Sequence, residues 1–227
     1  NDLLNVKFIN SKTGYAIGAK GTVIKTFDGG VHWSLTKSCG GNLRVEYLSV
    51  VDSSTLYVSG AYYYTTDNPH YLLKSTNGGN DWQVCNNNSP ASRMYFVNST
   101  TGFSFSGGGA ILKSTNSGVN WTVLRNGVAN LNGGEMFFLN EQTFFATLSG
   151  INPYQKIIIK TSNQGLDWVN AYYVTNEPGE LKGLSFVNSL TGYVYCDAIK
   201  NSIVKTTNGG ESWFTTHTIQ IDNYWNQ

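Results

Sequence analysis

The sequence predicts an all-β chain, a five-bladed β-propeller of four-stranded antiparallel blades. Three observations predict it. A nine-residue box recurs five times along the 227 residues. A strand–turn–strand pattern with period-two alternation precedes each box. The composition, 14% aromatic with 25 glycines and only 13% charged residues, suits sheets joined by many turns.

The box spans residues 25–33, 74–82, 113–121, 160–168 and 205–213. In words it reads Lys, Ser/Thr, any residue, Asp/Asn, any, Gly, any, any, Trp. Its acidic or amide position is Asp28, Asn77, Asn116, Asn163 and Asn208, spaced 39 to 49 residues apart. Trp33, Trp82, Trp121, Trp168 and Trp213 close the boxes and account for five of the six tryptophans. Each residue type has a mechanical reason to be there. An Asp or Asn side chain accepts backbone N–H groups two residues on. Glycine supplies a positive φ without a Cβ clash. The Ser/Thr hydroxyl ties the same turn, and the tryptophan buries a wide flat area with its indole N–H near a polar group.

Ahead of the first box, Val6 to Asn10 leads through Ser11–Gly14 into Tyr15. The counterparts run Leu48 to Tyr57, Met94 to Phe103, Met136 to Phe145 and Leu184 to Tyr193. Each unit thus reads as strands A to D: A ends at the Asn/Asp, B opens at the aromatic, C runs into the Lys-Ser/Thr pair, and D starts at the tryptophan. Four strands repeated at about 40–45 residues imply radial packing. The predicted blades cover 1–40, 41–88, 89–128, 129–174 and 175–220 of one domain, with Thr215 to Gln227 as a tail. Blades two and four carry Leu56 and Phe144 where the others have a turn glycine, so their A–B turns are expected to differ.

Several function classes fall away. A net charge of +1 sets up no field that recruits nucleic acid. No apolar run approaches the ~20 residues of a transmembrane helix. Cys39, Cys85 and Cys196 lack CxxC spacing, which argues against zinc, and both one disulfide and three thiols remain open. One carboxylate and four amides in the boxes make a poor cation site, so neither metal nor cofactor is expected. The chain opens at Asn1 rather than methionine, which suggests a cleaved leader or a piece of something longer.

The boxes resemble the Asp-box, or bacterial neuraminidase repeat, of sialidases, sortilin-type receptors and xyloglucan-cleaving hydrolases. The order of strand A, Thr-Gly-Tyr turn and Lys-Thr-x-Asp-Gly-Gly-x-x-Trp is most similar to propellers of the photosystem II stability/assembly factor type. That resemblance covers essentially the whole chain and implies a propeller fold. Unrelated activities share the scaffold, so function must come from a site.

Residues common to all five blades serve the blade, and the unshared ones are the site candidates. The five box lysines read as stems lying over aromatics, with five anion or sugar sites as the sharper alternative. In a propeller the D–A and B–C loops share one face, at the mouth of a channel lined by strand A. Arg44, Glu46, Tyr47, Arg93, Glu135, Glu180 and Lys182 are expected there. So are Tyr62, Tyr63, Tyr64, His70 and Tyr71 of a long B–C loop in blade two, Tyr154 and Lys156 of blade four, and Asp197 and Lys200 of blade five. Tyrosine offers rigid amphipathic contact area. The first reading is an exported, non-enzymatic scaffold that binds a protein partner or glycan at this face. A glycan hydrolase with Glu46 and Glu135 as its paired carboxylates is the alternative. Resemblance to sialidases would further demand an arginine cluster and a Phe/Tyr-Arg-Ile-Pro segment. The chain has only Arg44, Arg93 and Arg125 and lacks the segment. A third reading makes the chain an accessory module of a larger secreted protein.

Overall fold

The structure is a computed structural model, and it describes residues 2–62, 70–86, 93–151, 153–197 and 200–220. Among these, twenty strands form five four-stranded sheets, each a meander in chain order. Blade one holds β1 (Leu3–Phe8), β2 (Gly14–Gly18), β3 (Val23–Thr26) and β4 (Ser34–Leu35). Blade two holds β5 (Leu43–Val50), β6 (Leu56–Tyr62), β7 (His70–Ser75) and β8 (Gln83–Asn86). Blade three holds β9 (Met94–Phe96), β10 (Gly102–Ser106), β11 (Ala110–Ser114) and β12 (Thr122–Arg125). Blade four holds β13 (Leu131–Phe138), β14 (Phe144–Ile151), β15 (Tyr154–Thr161) and β16 (Val169–Thr175). Blade five holds β17 (Glu180–Phe186), β18 (Gly192–Asp197), β19 (Lys200–Thr206) and β20 (Phe214–Gln220). The paired strands are antiparallel throughout, which gives the five-bladed all-β propeller class. Strand β20 runs to Gln220, so residues read as the start of a tail belong to blade five; β19 offers it a full-length edge.

By packing, the chain divides into two compact units, residues 1–106 with 111–123 and residues 107–110 with 124–227. In the first, Tyr15, Ile17, Leu43, Leu56 and Val58 form a cluster fully shielded from solvent. In the second, Phe145, Ile158 and Val194 do the same, with Leu184 and Trp213 buried beside them. Each such side chain contributes about 1.5–3 kcal/mol on burial.

All five boxes fold into one turn. The Ser/Thr hydroxyl accepts the glycine N–H, at 3.0 Å for Gly30 and 2.9 Å for Gly79, Gly118, Gly165 and Gly210. The Asp/Asn Oδ1 accepts the N–H four residues on at 2.8–3.1 Å. Asp28 receives the His32 N–H, the His32 imidazole and the Thr26 hydroxyl, which hold its carboxyl well below the usual carboxylate range. The five glycines have φ between 78° and 96°, as the motif requires. Indole N–H groups reach carbonyls from Trp33, Trp82 and Trp168. Those of Trp121 and Trp213 are buried without a partner among the described residues.

The A–B turns correct an expectation. In every blade the closing Asn/Asp accepts the N–H groups two and three residues on, at 2.7–3.0 Å, blades two and four included. The glycine that varies has a different job. A Cβ on Gly14, Gly102 or Gly192 would lie 2.7–2.8 Å from the ring of Phe8, Phe96 or Phe186 in strand A. Blade two pairs a small Val50 with Leu56, and blade four stacks Phe138 on Phe144 at 4.6 Å. The varying residue is a packing complement to strand A.

Candidate functional site

The box lysines behave as blade parts. Their ammonium groups lie 4.9–5.8 Å from the ring that opens strand B, over Tyr15, Tyr57, Phe103, Phe145 and Tyr193. Lys74 also donates to the Ser99 carbonyl of the following blade at 2.9 Å, and Lys160 to the Gly209 carbonyl at 3.0 Å.

Strand A is irregular where the unshared residues sit. In β5 the register passes from Val45↔Gly60 to Tyr47↔Ser59, leaving Glu46 as an extra residue. Such a bulge bends the strand and re-aims its side chains. Arg44 pairs with Glu46 at 3.3 Å. Tyr47 presents its hydroxyl to Nε of Arg93 at 3.0 Å, and that guanidinium lies 5.8 Å from the Tyr47 ring. The Arg93 carbonyl is anchored by the Phe105 N–H at 3.1 Å and the Ser104 hydroxyl at 2.6 Å. Four of the expected residues therefore meet in the first unit as two adjoining pairs.

The second unit uses its bulges differently. In β13 the register jumps from Gly133↔Leu148 to Met136↔Ala146, and in β17 from Lys182↔Tyr195 to Ser185↔Tyr193. The Glu135 N–H reaches Thr147 Oγ1 at 2.8 Å. The Glu135 carboxylate accepts the Leu184 N–H at 2.9 Å, binding the bulge of blade five to that of blade four. Lys182 pairs with Asp197 at 2.7 Å and Glu180 at 3.4 Å, and the Asp197 carboxylate holds its ammonium above the usual value. Tyr154 is exposed at the start of β15.

Lys156, named from the sequence as a residue of the binding face, is instead a buried charge. The Lys156 side chain is only 3% exposed, and its ammonium donates to Glu177 at 2.8 Å and to Cys196 Sγ at 3.2 Å. Burial pushes this lysine down, but the carboxylate and sulfur outweigh it and the net shift is upward. An isolated Lys in β15 carries no periodic signal of that pairing. His70 and Tyr71 open strand β7 rather than lying in a loop, because they pair with Ala61 and Gly60. Tyr63, Tyr64 and the side chain of Tyr62 lie outside the described residues. Cys39, Cys85 and Cys196 are all free thiols. Burial pushes the Cys39 thiol up to about 12. Among the described residues no three His, Cys, Asp or Glu side chains are grouped to hold a metal, and no helix is long and apolar enough to cross a membrane.

A family model described as photosynthesis system II assembly factor YCF48 matches residues 1–128, more than half of the chain. The chain belongs to the YCF48 assembly-factor family. Solved structures share its fold. A structure of YCF48 bound to D1 peptide is 17% identical, with a TM-score of 0.50 over 94% of this chain and 80% of that one. YCF48 from Cyanidioschyzon merolae is 15% identical, with a TM-score of 0.52 over 94% and 84%. A GH74 xyloglucanase from Xanthomonas campestris is 13% identical, with a TM-score of 0.70 over 97% of this chain but 38% of that one. At such identities the likeness speaks for the fold alone. No curated protein matches this YCF48-family chain in sequence.

Proposed function

We propose that this YCF48-family chain is a non-enzymatic scaffold that binds a polypeptide segment, with Tyr47 and Arg93 in contact with it. One observation carries the reading: the family match spans residues 1–128, the stretch that holds both residues. A YCF48 of similar fold has been solved with a D1 peptide bound. A tyrosine and an arginine held together offer a rigid amphipathic surface and a planar donor fork for peptide carbonyls or a carboxylate. The carboxylates fit this reading too. Glu46 is held by Arg44 and Glu135 by a backbone amide, employment that suits structure better than acid–base catalysis.

Calorimetric titration with the D1 peptide tests the proposal. Arg93→Ala should weaken binding about tenfold, equivalent to about 1.4 kcal/mol. Tyr47→Phe, which removes only the hydroxyl that orients Arg93, should cost less. Equal affinity in correctly folded Arg93→Ala and parent protein would refute the assignment.

A further inference from the structure

Within each compact unit, neighbouring blades pack face on face through residues at recurring positions. Between blades one and two, Tyr15, Ile17 and Val23 meet Leu48, Val58 and Leu73 in one buried cluster. Between blades four and five, Phe145 and Ile158 meet Leu184, Val194, Val204 and Trp213. A blade therefore has a forward face, built on the residue that opens strand B. Its rear face is built on strand A, the middle of strands B and C, and the box tryptophan.

Two such faces stand uncovered. On the rear face of blade one, Val6 and Ile24 occupy the positions of Leu48 and Leu73 in blade two. Val6 is 52% exposed, whereas Leu48 is 4% exposed. Leu3 and Phe8 of the same strand are exposed as well. A groove of about 650 Å³ runs along this face, lined by blade-one residues alone, among them Leu3, Leu4, Val6, Ile24 and Trp33. On the forward face of blade five, Tyr195 and Ile203 occupy the positions of Ile17 and Val23 in blade one. Both are 38% exposed, whereas Ile17 and Val23 are fully buried.

The polar groups repeat the pattern. Tyr15 donates to the Ser53 carbonyl of the following blade at 2.8 Å, and Tyr57 to the Ser99 carbonyl at 2.6 Å. Each acceptor is the residue after the closing Asp or Asn of an A–B turn. Blade five opens strand B on Tyr193, with the Lys205 ammonium over its ring, and blade one has Ser11 after Asn10. Among the described residues, neither the Tyr193 hydroxyl nor the Ser11 carbonyl makes a hydrogen bond. One face lacks an acceptor and the other a donor, for a bond that the chain makes twice elsewhere.

We propose that the forward face of blade five docks on the rear face of blade one in a second copy of this chain. The joints of the chain itself select the occupant. What covers a rear face here is the forward face of a blade, and blade five carries one that is left exposed. Contiguous apolar surface of this kind marks interaction sites, and a permanent interface resembles a core cut in half. Because the two faces differ, the contact is head to tail, a geometry that either closes into a ring or extends.

Sedimentation velocity on the full chain over a range of concentrations tests the proposal. The parent protein should pass from monomer to dimer or larger species as concentration rises. Val6→Glu and Ile203→Glu each place a carboxylate at an exposed strand position of one face. Burying that charge unpaired should weaken association at least about tenfold. Each variant keeps the face that the other has lost. At a concentration where neither associates alone, their equimolar mixture should therefore form heterodimers, a rescue that also shows both to be folded. A parent that stays monomeric at every concentration overturns the proposal and leaves the two faces to another occupant. Association that one substitution abolishes and the other leaves untouched would pair like faces and overturn it too, as would a mixture without rescue.

Discussion

Glu135→Ala would strip the Leu184 N–H of its acceptor inside the paired bulges of blades four and five. Leaving a buried donor unsatisfied costs about 1–3 kcal/mol, so urea denaturation should register that loss. Glu135→Gln keeps an acceptor oxygen in place and should cost under about 1 kcal/mol. A catalytic acid would behave the other way, with the amide fatal to turnover and stability little changed. This distinction was not legible in the sequence. Glu46, Glu135 and Glu180 look alike as carboxylates ahead of strand A, yet one pairs with an arginine, one binds an amide and one faces a lysine. What sets Glu135 apart is a partner 49 positions away in the next blade, which no local pattern encodes, whereas Glu46 and Glu180 each meet a cation two residues along their own strand. The box residues were legible because each acts within nine positions of its own chain.

The A–B turn, strand B and the next blade work as one joint. Tyr57→Phe should remove the 2.6 Å bond to the Ser99 carbonyl and leave the stack on Phe96 intact. The expected loss is about 1 kcal/mol in chemical denaturation, the net worth of one hydrogen bond. Blades three and four have Phe103 and Phe145 at this position, and Phe145→Tyr is the converse change. Period-two alternation located strands A and B correctly, since the strand repeat writes itself into residue order. It could not show the bulges in β5, β13 and β17, where one or two extra residues break register without breaking hydrophobicity. Nor could it assign the glycine of the turn, whose role is to clear room for a strand-A ring.

At the scale of the molecule, stability in a repeat protein is close to a sum of units and their nearest-neighbour contacts. That locality explains why five boxes sufficed to read the blades. The features that differ between junctions are the ones that escape it: the Tyr47–Arg93 pair joins residues 46 apart, and Lys156 meets Cys196 across 40. The functional account rests on such a pair, and hydrogen–deuterium exchange with and without the D1 peptide probes it directly. The account predicts slowed exchange in β5 around residues 44–48 and at residues 93–95. Protection confined to other segments, or none at saturating peptide, would contradict it.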